Sequence, residues 1–441
     1  MEGRFDKYPT SPAFVLSDKS SEDVGRAMIE GGLQKQPFFI FNMDEAFRRI
    51  QHFKDMMPRV KIFYAMKCND TEMMLKLAIS QGIGFDCASP GEIYKLRKLN
   101  VCPTRIIYAM TSKTPEQMAY ARKSGVRHTT FDTSYELKKL VEHWPDARLL
   151  IRIRVDSVCK VALGDKFGCD FDKEAIDLLE EAASLGLKVV GVAFHVGSIC
   201  SSPESYVTGL QHARALFDHE ATAGREMKIV DIGGGFLSER TDCIDQVSKL
   251  ITAAVAELFP DPSIQIISEP GRYISDSSFT MYCSINNVRR SIKDGKQMNM
   301  IYIDDGVYGC LRDVEKWHYP KKFKRSTEND TGPLEEATLW GPSCDSEDRI
   351  MQDYTILLPR CVALDWLIFP GSGAYTITVS TRFSCLEIPL IRSVVSLELW
   401  NRIKDNEVFA ANDFILNPDL STPLPSTSPP LLQNHTLYER Q

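Results

Sequence analysis

The sequence predicts an α/β fold, a (β/α)8 barrel followed by a second, mainly β domain, and three observations carry that expectation. Eight short apolar runs alternate with helix-like stretches between residues 61 and 269. Residues able to do chemistry fall at the C-terminal ends of many of these runs, which is how a barrel assembles one site on one face. Beyond Tyr273 the alternation stops, and short segments rich in β-branched and aromatic residues replace it.

The runs are KIFYAM (61–66), IGFDC (83–87), RIIYAM (105–110), RHTTFD (127–132), ARLLIRI (147–153), KVVGVAF (188–194), MKIVDI (227–232) and IQIISE (264–269). Amphipathic stretches such as TEMMLKLAI, SYELKKLVEH and DQVSKLITAAVAELF separate them, several with an Asp or Thr start signal and a glycine after the last turn. A doubly wound sheet fits the same alternation. The barrel is favoured because Lys67, Asp86, Arg152, His195, the glycines 233 to 235 and Glu269 terminate different runs.

Four regions follow. Residues 1–35 are expected to lend a strand, PAFVLSD, to the β domain, and residues 36–279 to form the barrel. Residues 280–411 form the β domain, with FTMYCSINNVRR, MNMIYID, YTILLP, DWLIFP and AYTITV as strands and VVSLELWNRIKD as a helical piece. Residues 412–441, dense in Pro, Ser and Thr, read as a disordered tail.

Of the 441 residues 25% are charged, and the formal net charge of -7 comes with no basic stripe, which argues against nucleic acid as a partner. No run is long enough to cross a bilayer and the first ten residues are polar, so no membrane role and a cytoplasmic location are expected. The 12 cysteines lack C-x-x-C spacing, which disfavours a metal site and a disulfide framework alike.

Three segments carry chemistry. The first run ends on Lys67, placing an amine at the barrel mouth, although a strand can also end on a solvated lysine. The seventh leads into Gly233, Gly234 and Gly235, which allow backbone N–H groups close approach to an anion, or simply make a turn. The eighth ends in SEPGRY, so Glu269 and Arg272 adjoin the glycines, where barrels commonly bind phosphate. A buried acid needs a partner. The ring nitrogen of pyridoxal 5'-phosphate would supply one, with Lys67 as its Schiff-base amine. His195, in FHVGSIC, ends the sixth run where it can lie against the ring, with Ser198 beside it.

AMKCN, FDCAS, FHVGS, DIGGGF, EPGR, DDGVYG, GPSCD and GAYT, in that order, resemble the eukaryotic ornithine decarboxylase family, barrel-type pyridoxal phosphate decarboxylases. The resemblance covers roughly residues 10 to 410. It implies a head-to-tail homodimer whose sites are each completed by the partner's β domain. It also implies that Lys67 carries the cofactor, His195 stacks on the ring, Glu269 pairs with the ring nitrogen, and Gly235, Arg272, Ser198 and Tyr375 hold the phosphate. Asp86 and Arg152 lie near the cofactor, and Cys344 arrives from the other subunit as proton donor. Lys166 and Asp348 match a cross-dimer ion pair, Gly373 a close approach between subunits, and Phe383 an aromatic at the substrate end.

The substrate end departs from the family. Where the family has an aspartate gripping the distal ammonium of ornithine, an ungapped alignment from Gly309 places Trp317, while Asp345 is retained; a gap would bring Asp313 there instead. An indole in place of a carboxylate turns the expected substrate from a diamino acid towards a neutral apolar one such as L-leucine. The family also contains antizyme inhibitors, non-catalytic proteins that bind antizyme. The intact cofactor residues favour an enzyme, and residues 117–145, with Tyr120, Arg122, Lys123, Lys138 and Lys139, match the antizyme-contacting segment.

Overall fold

The computed structural model describes residues 11–237, 241–293, 295–314, 319–325 and 332–425. Eight strands, Val60–Ala65, Gly84–Cys87, Ile106–Tyr108, His128–Phe131, Arg148–Ile153, Lys188–Phe194, Ile229–Asp231 and Gln265–Ser268, close into a barrel in which every neighbouring pair is parallel. All eight expected runs are there. A helix follows each of the first seven: Glu72–Ser80, Pro90–Lys98, Pro115–Lys123, Ser134–His143, Ala175–Ser184, Glu204–Thr222 and Thr241–Leu258.

Local chemistry starts these helices as the sequence suggests. The side chains of Ser89, Thr114 and Thr133 accept the N–H groups of Glu92, Gln117 and Glu136, satisfying donors that a first turn leaves open. Inside the barrel, Ile107, Leu150, Val190, Ala193 and Ile267 pack with Phe63 and Ile229. The interior is therefore filled, and chemistry is confined to the rim.

The second domain is a sheet of eleven strands. Its spine runs through Leu334–Trp340, Lys296–Ile303, Phe279–Lys293, Phe38–Asn42, Leu390–Ser396, Ala13–Leu16 and Phe414–Leu416. Ala13–Leu16 joins it as expected, parallel to Leu390–Ser396. Three expectations need correcting. The barrel does not begin at residue 36, because Phe38–Asn42 lies between Phe279–Lys293 and Leu390–Ser396 in the β sheet. Its four leading residues are fully buried, each worth about 1.5–3 kcal/mol of transfer free energy if it is a large side chain. Asn42 then caps helix Met43–Met56, and the chain passes into the barrel there.

The tail does not lose structure at residue 412. Phe414–Leu416 pairs in parallel with Ala13–Leu16, and buried Leu424 donates its N–H to Gln34. Residues beyond 425 lie outside the described ones. The third correction concerns AYTITV, which forms turns and bends instead of a strand. Its backbone groups go to the barrel: Gly373 N–H donates to Asp276 O (3.0 Å), Asn69 Nδ2 donates to Gly373 O (2.9 Å), and Tyr375 N–H donates to Cys68 O (3.0 Å). These bonds satisfy the loop without a sheet partner.

No helix among the described residues is long and apolar enough to cross a membrane.

Candidate active site

Lys67 sits in the single 3-10 turn Met66–Cys68 that ends the first strand, and its side chain is 42% exposed. Its ammonium touches the carboxylate of Asp86, which ends the second strand and is wholly buried. Burial disfavours the lysine's charge, but Asp86, Glu269 and Tyr375 outweigh it and hold the amine protonated above its usual range. The second oxygen of Asp86 is buried without a hydrogen-bond partner.

His195 ends the sixth strand. Its Nδ1 accepts the N–H of Gly197 at 2.9 Å, a bond that only a ring unprotonated at that nitrogen can make. Burial first, then Arg152 and Lys67, depress its pKa to about 3, so the imidazole is neutral at physiological pH. A neutral ring can lie flat on another without charge repulsion. Arg152, on the fifth strand, lies over the Phe167 ring at 4.9 Å. Ser198 begins a short strand, Ser198–Cys200, antiparallel to Cys159–Val161.

The glycines turn against this wall. A Cβ on Gly233 would come within 2.5 Å of Phe194 O, on Gly234 within 2.7 Å of Glu269 O, and on Gly235 within 2.7 Å of Gly197 O; Gly233 and Gly235 also have φ of +65° and +106°. Only glycine allows the backbone this close. Next to it, Arg272 is 14% exposed, its guanidinium lies 5.2 Å from the centre of the Tyr375 ring, and its Nε is buried without a hydrogen-bond partner. Gly271 brings it there, since a Cβ at that position would meet Cys68 Cβ at 2.8 Å.

Glu269 shares this space with Asp231, a residue the sequence reading passed over. Asp231 ends the seventh strand, is 1% exposed, and accepts the N–H of Gly233 at 2.9 Å. Burial raises the pKa of both carboxyls, Asp231 to about 6, and the neighbouring Asp231 raises that of Glu269 further. Glu92, also passed over, accepts the N–H of Ala88, and burial pushes it up to about 7. The signal for Asp231 was available: like Asp86, it is an acid at the C-terminal end of a barrel strand.

Not every expected residue joins this group. Asp345 accepts from the Tyr308 hydroxyl and the Glu347 N–H and donates its N–H to Ser343, all in the β domain, while the Phe383 ring lies tilted against Tyr308 at 4.3 Å and Cys344 is exposed. Trp317 lies outside the described residues. Asp348 is 1% exposed within the single chain, its oxygens accepting the N–H groups of Val307 and Ser343. Lys166 lies over Phe167 at 5.0 Å. Gly373 is likewise needed within one chain, because a Cβ there would fall 1.7 Å from Ser275 O. Glu180, His219 and Glu220 come close enough to hold a metal ion, but Arg225 already pairs with both carboxylates.

An anion cradle of glycine backbone, an arginine nitrogen with no protein acceptor, an acid deep in the rim and an amine at its centre fit a phosphorylated aldehyde with a basic ring nitrogen. That defines the chain as a pyridoxal phosphate protein of the barrel type. The family model described as pyridoxal-dependent decarboxylase, pyridoxal binding domain, matches residues 43–276, beginning where the chain enters the barrel. Ornithine decarboxylase 2 of Drosophila melanogaster is 34% identical over 363 residues, covering 81% of this chain and 91% of its own length. Antizyme inhibitor 2 of Xenopus laevis is 35% identical over 383 residues, 84% of this chain and 83% of the relative. The arginine decarboxylase of Paramecium bursaria Chlorella virus, solved with agmatine, superposes with a TM-score of 0.79 at 30% identity, over 85% of this chain and 100% of that one. The chain belongs to the pyridoxal-dependent decarboxylase family, and pyridoxal phosphate is its cofactor.

Proposed function

We propose that this decarboxylase acts on a neutral, apolar L-amino acid, leucine in the first instance, releasing the primary amine and carbon dioxide. The observation that carries the reading is Trp317, an indole where the ornithine decarboxylase pattern has an aspartate. Without that carboxylate a distal ammonium loses compensation worth on the order of several kcal/mol. An aliphatic side chain against the indole instead gains about 0.8 kcal/mol per buried CH2.

In this reading Lys67 would hold the cofactor through its aldehyde. Gly233, Gly234 and Gly235, with Ser198, Arg272 and Tyr375, take the phosphate. His195 covers one ring face, Glu269 faces the ring nitrogen, and Asp86 and Arg152 fix the charges around them. The bound cofactor supplies an electron sink for the carbanion left at Cα by decarboxylation. Cys344 delivers a proton to Cα. Its exposure on the β domain supports a head-to-tail homodimer in which each site borrows Cys344, Asp345 and Phe383 from the partner.

Amine formation from leucine, methionine, phenylalanine and ornithine tests the substrate. Leucine is expected to exceed ornithine in kcat/KM by about tenfold or more. Preference for ornithine overturns the reading and returns the site to the chemistry of its named relatives, for which the retained Asp345 provides one carboxylate.

A second role is favoured by the likeness to an antizyme inhibitor. The helices Pro115–Lys123 and Ser134–His143 expose Arg122, Lys123 and Lys138, while Lys139 turns inward to Glu136 and Trp144 is buried. Capture by immobilised antizyme, lost on Lys123→Glu with Lys138→Glu, is the expected result; no capture of the wild-type protein removes this role and leaves the enzymatic one.

A further inference from the structure

Two cysteines meet across the small sheet behind the glycine cradle. Where Cys159–Val161 pairs antiparallel with Ser198–Cys200, Cys159 lies directly opposite Cys200. One step along the ladder Ser201 donates its N–H to Val158 O at 2.8 Å, and the N–H of Cys200 turns away to Gly235 O at 3.3 Å. The cysteines therefore occupy a pair of positions with no backbone hydrogen bond between them. Residues opposed in this way hold their Cα atoms about 4.5 Å apart, within the span of about 4.4–6.8 Å that a disulfide bridges. Both side chains turn to the protein side of the sheet: Cys200 is a buried member of the main core and Cys159 packs against it, whereas the adjoining Val158 and Lys160 are exposed. Both thiols are free.

The pair also supports the cradle at two points. Cys200 N–H holds Gly235 through its carbonyl. The sulfur of Cys159 fills the space beside Gly197, where a Cβ would collide with it, and Gly197 N–H is the donor to His195 Nδ1.

We propose that Cys159 and Cys200 form a reversible disulfide site whose oxidation weakens the hold on pyridoxal phosphate. A peroxide is the oxidant. Its O–O bond breaks as the half-buried Cys159 thiol becomes a sulfenic acid and one water leaves. The Cys200 thiol then attacks that sulfur, and the hydroxyl departs with the thiol proton as a second water. Two electrons pass from the sulfurs to the peroxide, and a dithiol reductant returns them. Closing the bond turns the Cys159 sulfur away from Gly197 and draws Cys200 from Gly235, so the loop carrying His195 and Ser198 loses its backing. In a reducing compartment such a bond is transient, which suits a sensor and not a structural link. The effect on the cofactor rests on the placing of its phosphate at the glycines.

Holoenzyme treated with hydrogen peroxide and digested without reductant is expected to yield a peptide linked through Cys159 and Cys200. Its dissociation constant for pyridoxal phosphate is expected to rise by about tenfold and to return with dithiothreitol. Affinity is the readout because Cys344 is exposed as well, and its oxidation alone would stop turnover. Cys159→Ser is expected to bind the cofactor as the wild type does, and peroxide should not change that. Oxidation of Cys344 without a linked peptide overturns the proposal. So does an affinity loss that persists in Cys159→Ser, or a linked peptide with unchanged affinity. Cys200→Ser repeats the test if Cys159→Ser fails to fold, and the wild-type peptide map decides if both fail. Arg272→Ala with undiminished affinity would strike instead at the placing of the phosphate.

Discussion

Alanine at position 67 is expected to lower carbon dioxide release by about 10^4-fold or more, the scale on which deleting a group that reacts covalently acts. Lys67 is the amine at the centre of the cluster, and no second lysine among the described residues contacts Asp86. The change is expected to leave the fold intact, because the side chain is 42% exposed and fills no core space. Asp86, fully buried, would lose its ionic partner. Borohydride reduction of the wild-type protein should fix the cofactor covalently, and the variant should release all of it on denaturation. Mixing Lys67→Ala with Cys344→Ala chains should restore activity, since one site of a hybrid dimer is whole; additive inactivity would show that each chain uses its own cysteine.

The second large effect is expected from Glu269→Gln. Glutamine keeps the shape and the hydrogen bond but cannot present a full negative charge to a ring nitrogen. Removing one such preorganised group commonly costs about 10^2- to 10^3-fold in kcat. Here the loss should fall on kcat, with KM little changed, because the interaction strengthens as electrons move into the ring. Steady-state rates at saturating cofactor check this. An unchanged kcat would mean that the ring nitrogen is held by another group.

The barrel was readable because each of its strands is short, apolar and followed by an amphipathic helix, so two periods alternate along the chain. Lys67, Asp86, His195, the glycines and Glu269 were readable for the same reason: a strand end in a barrel is a place as well as a position. Asp231 satisfied that rule and was hidden by its glycines, which claimed the motif. Phe38–Asn42 escaped because a strand buried on both faces has no alternation. AYTITV misled in the opposite sense, its β-branched residues belonging to a loop whose partners, Cys68 and Asp276, are about three hundred and about one hundred residues away. The roles expected of Asp348 and Gly373 came from resemblance. Within one chain Asp348 accepts two backbone N–H groups and Gly373 lies against Ser275 O.

The interleaving of the chain's two ends in one sheet has a consequence for biosynthesis. Ala13–Leu16 and Phe38–Asn42 are translated about 350 residues or more before their shared neighbour Leu390–Ser396. At about 5–20 residues per second, the two strands wait tens of seconds with Phe14, Phe38, Phe39 and Phe41 lacking their final cover. These strands therefore remain exposed to mispairing while the barrel forms behind them.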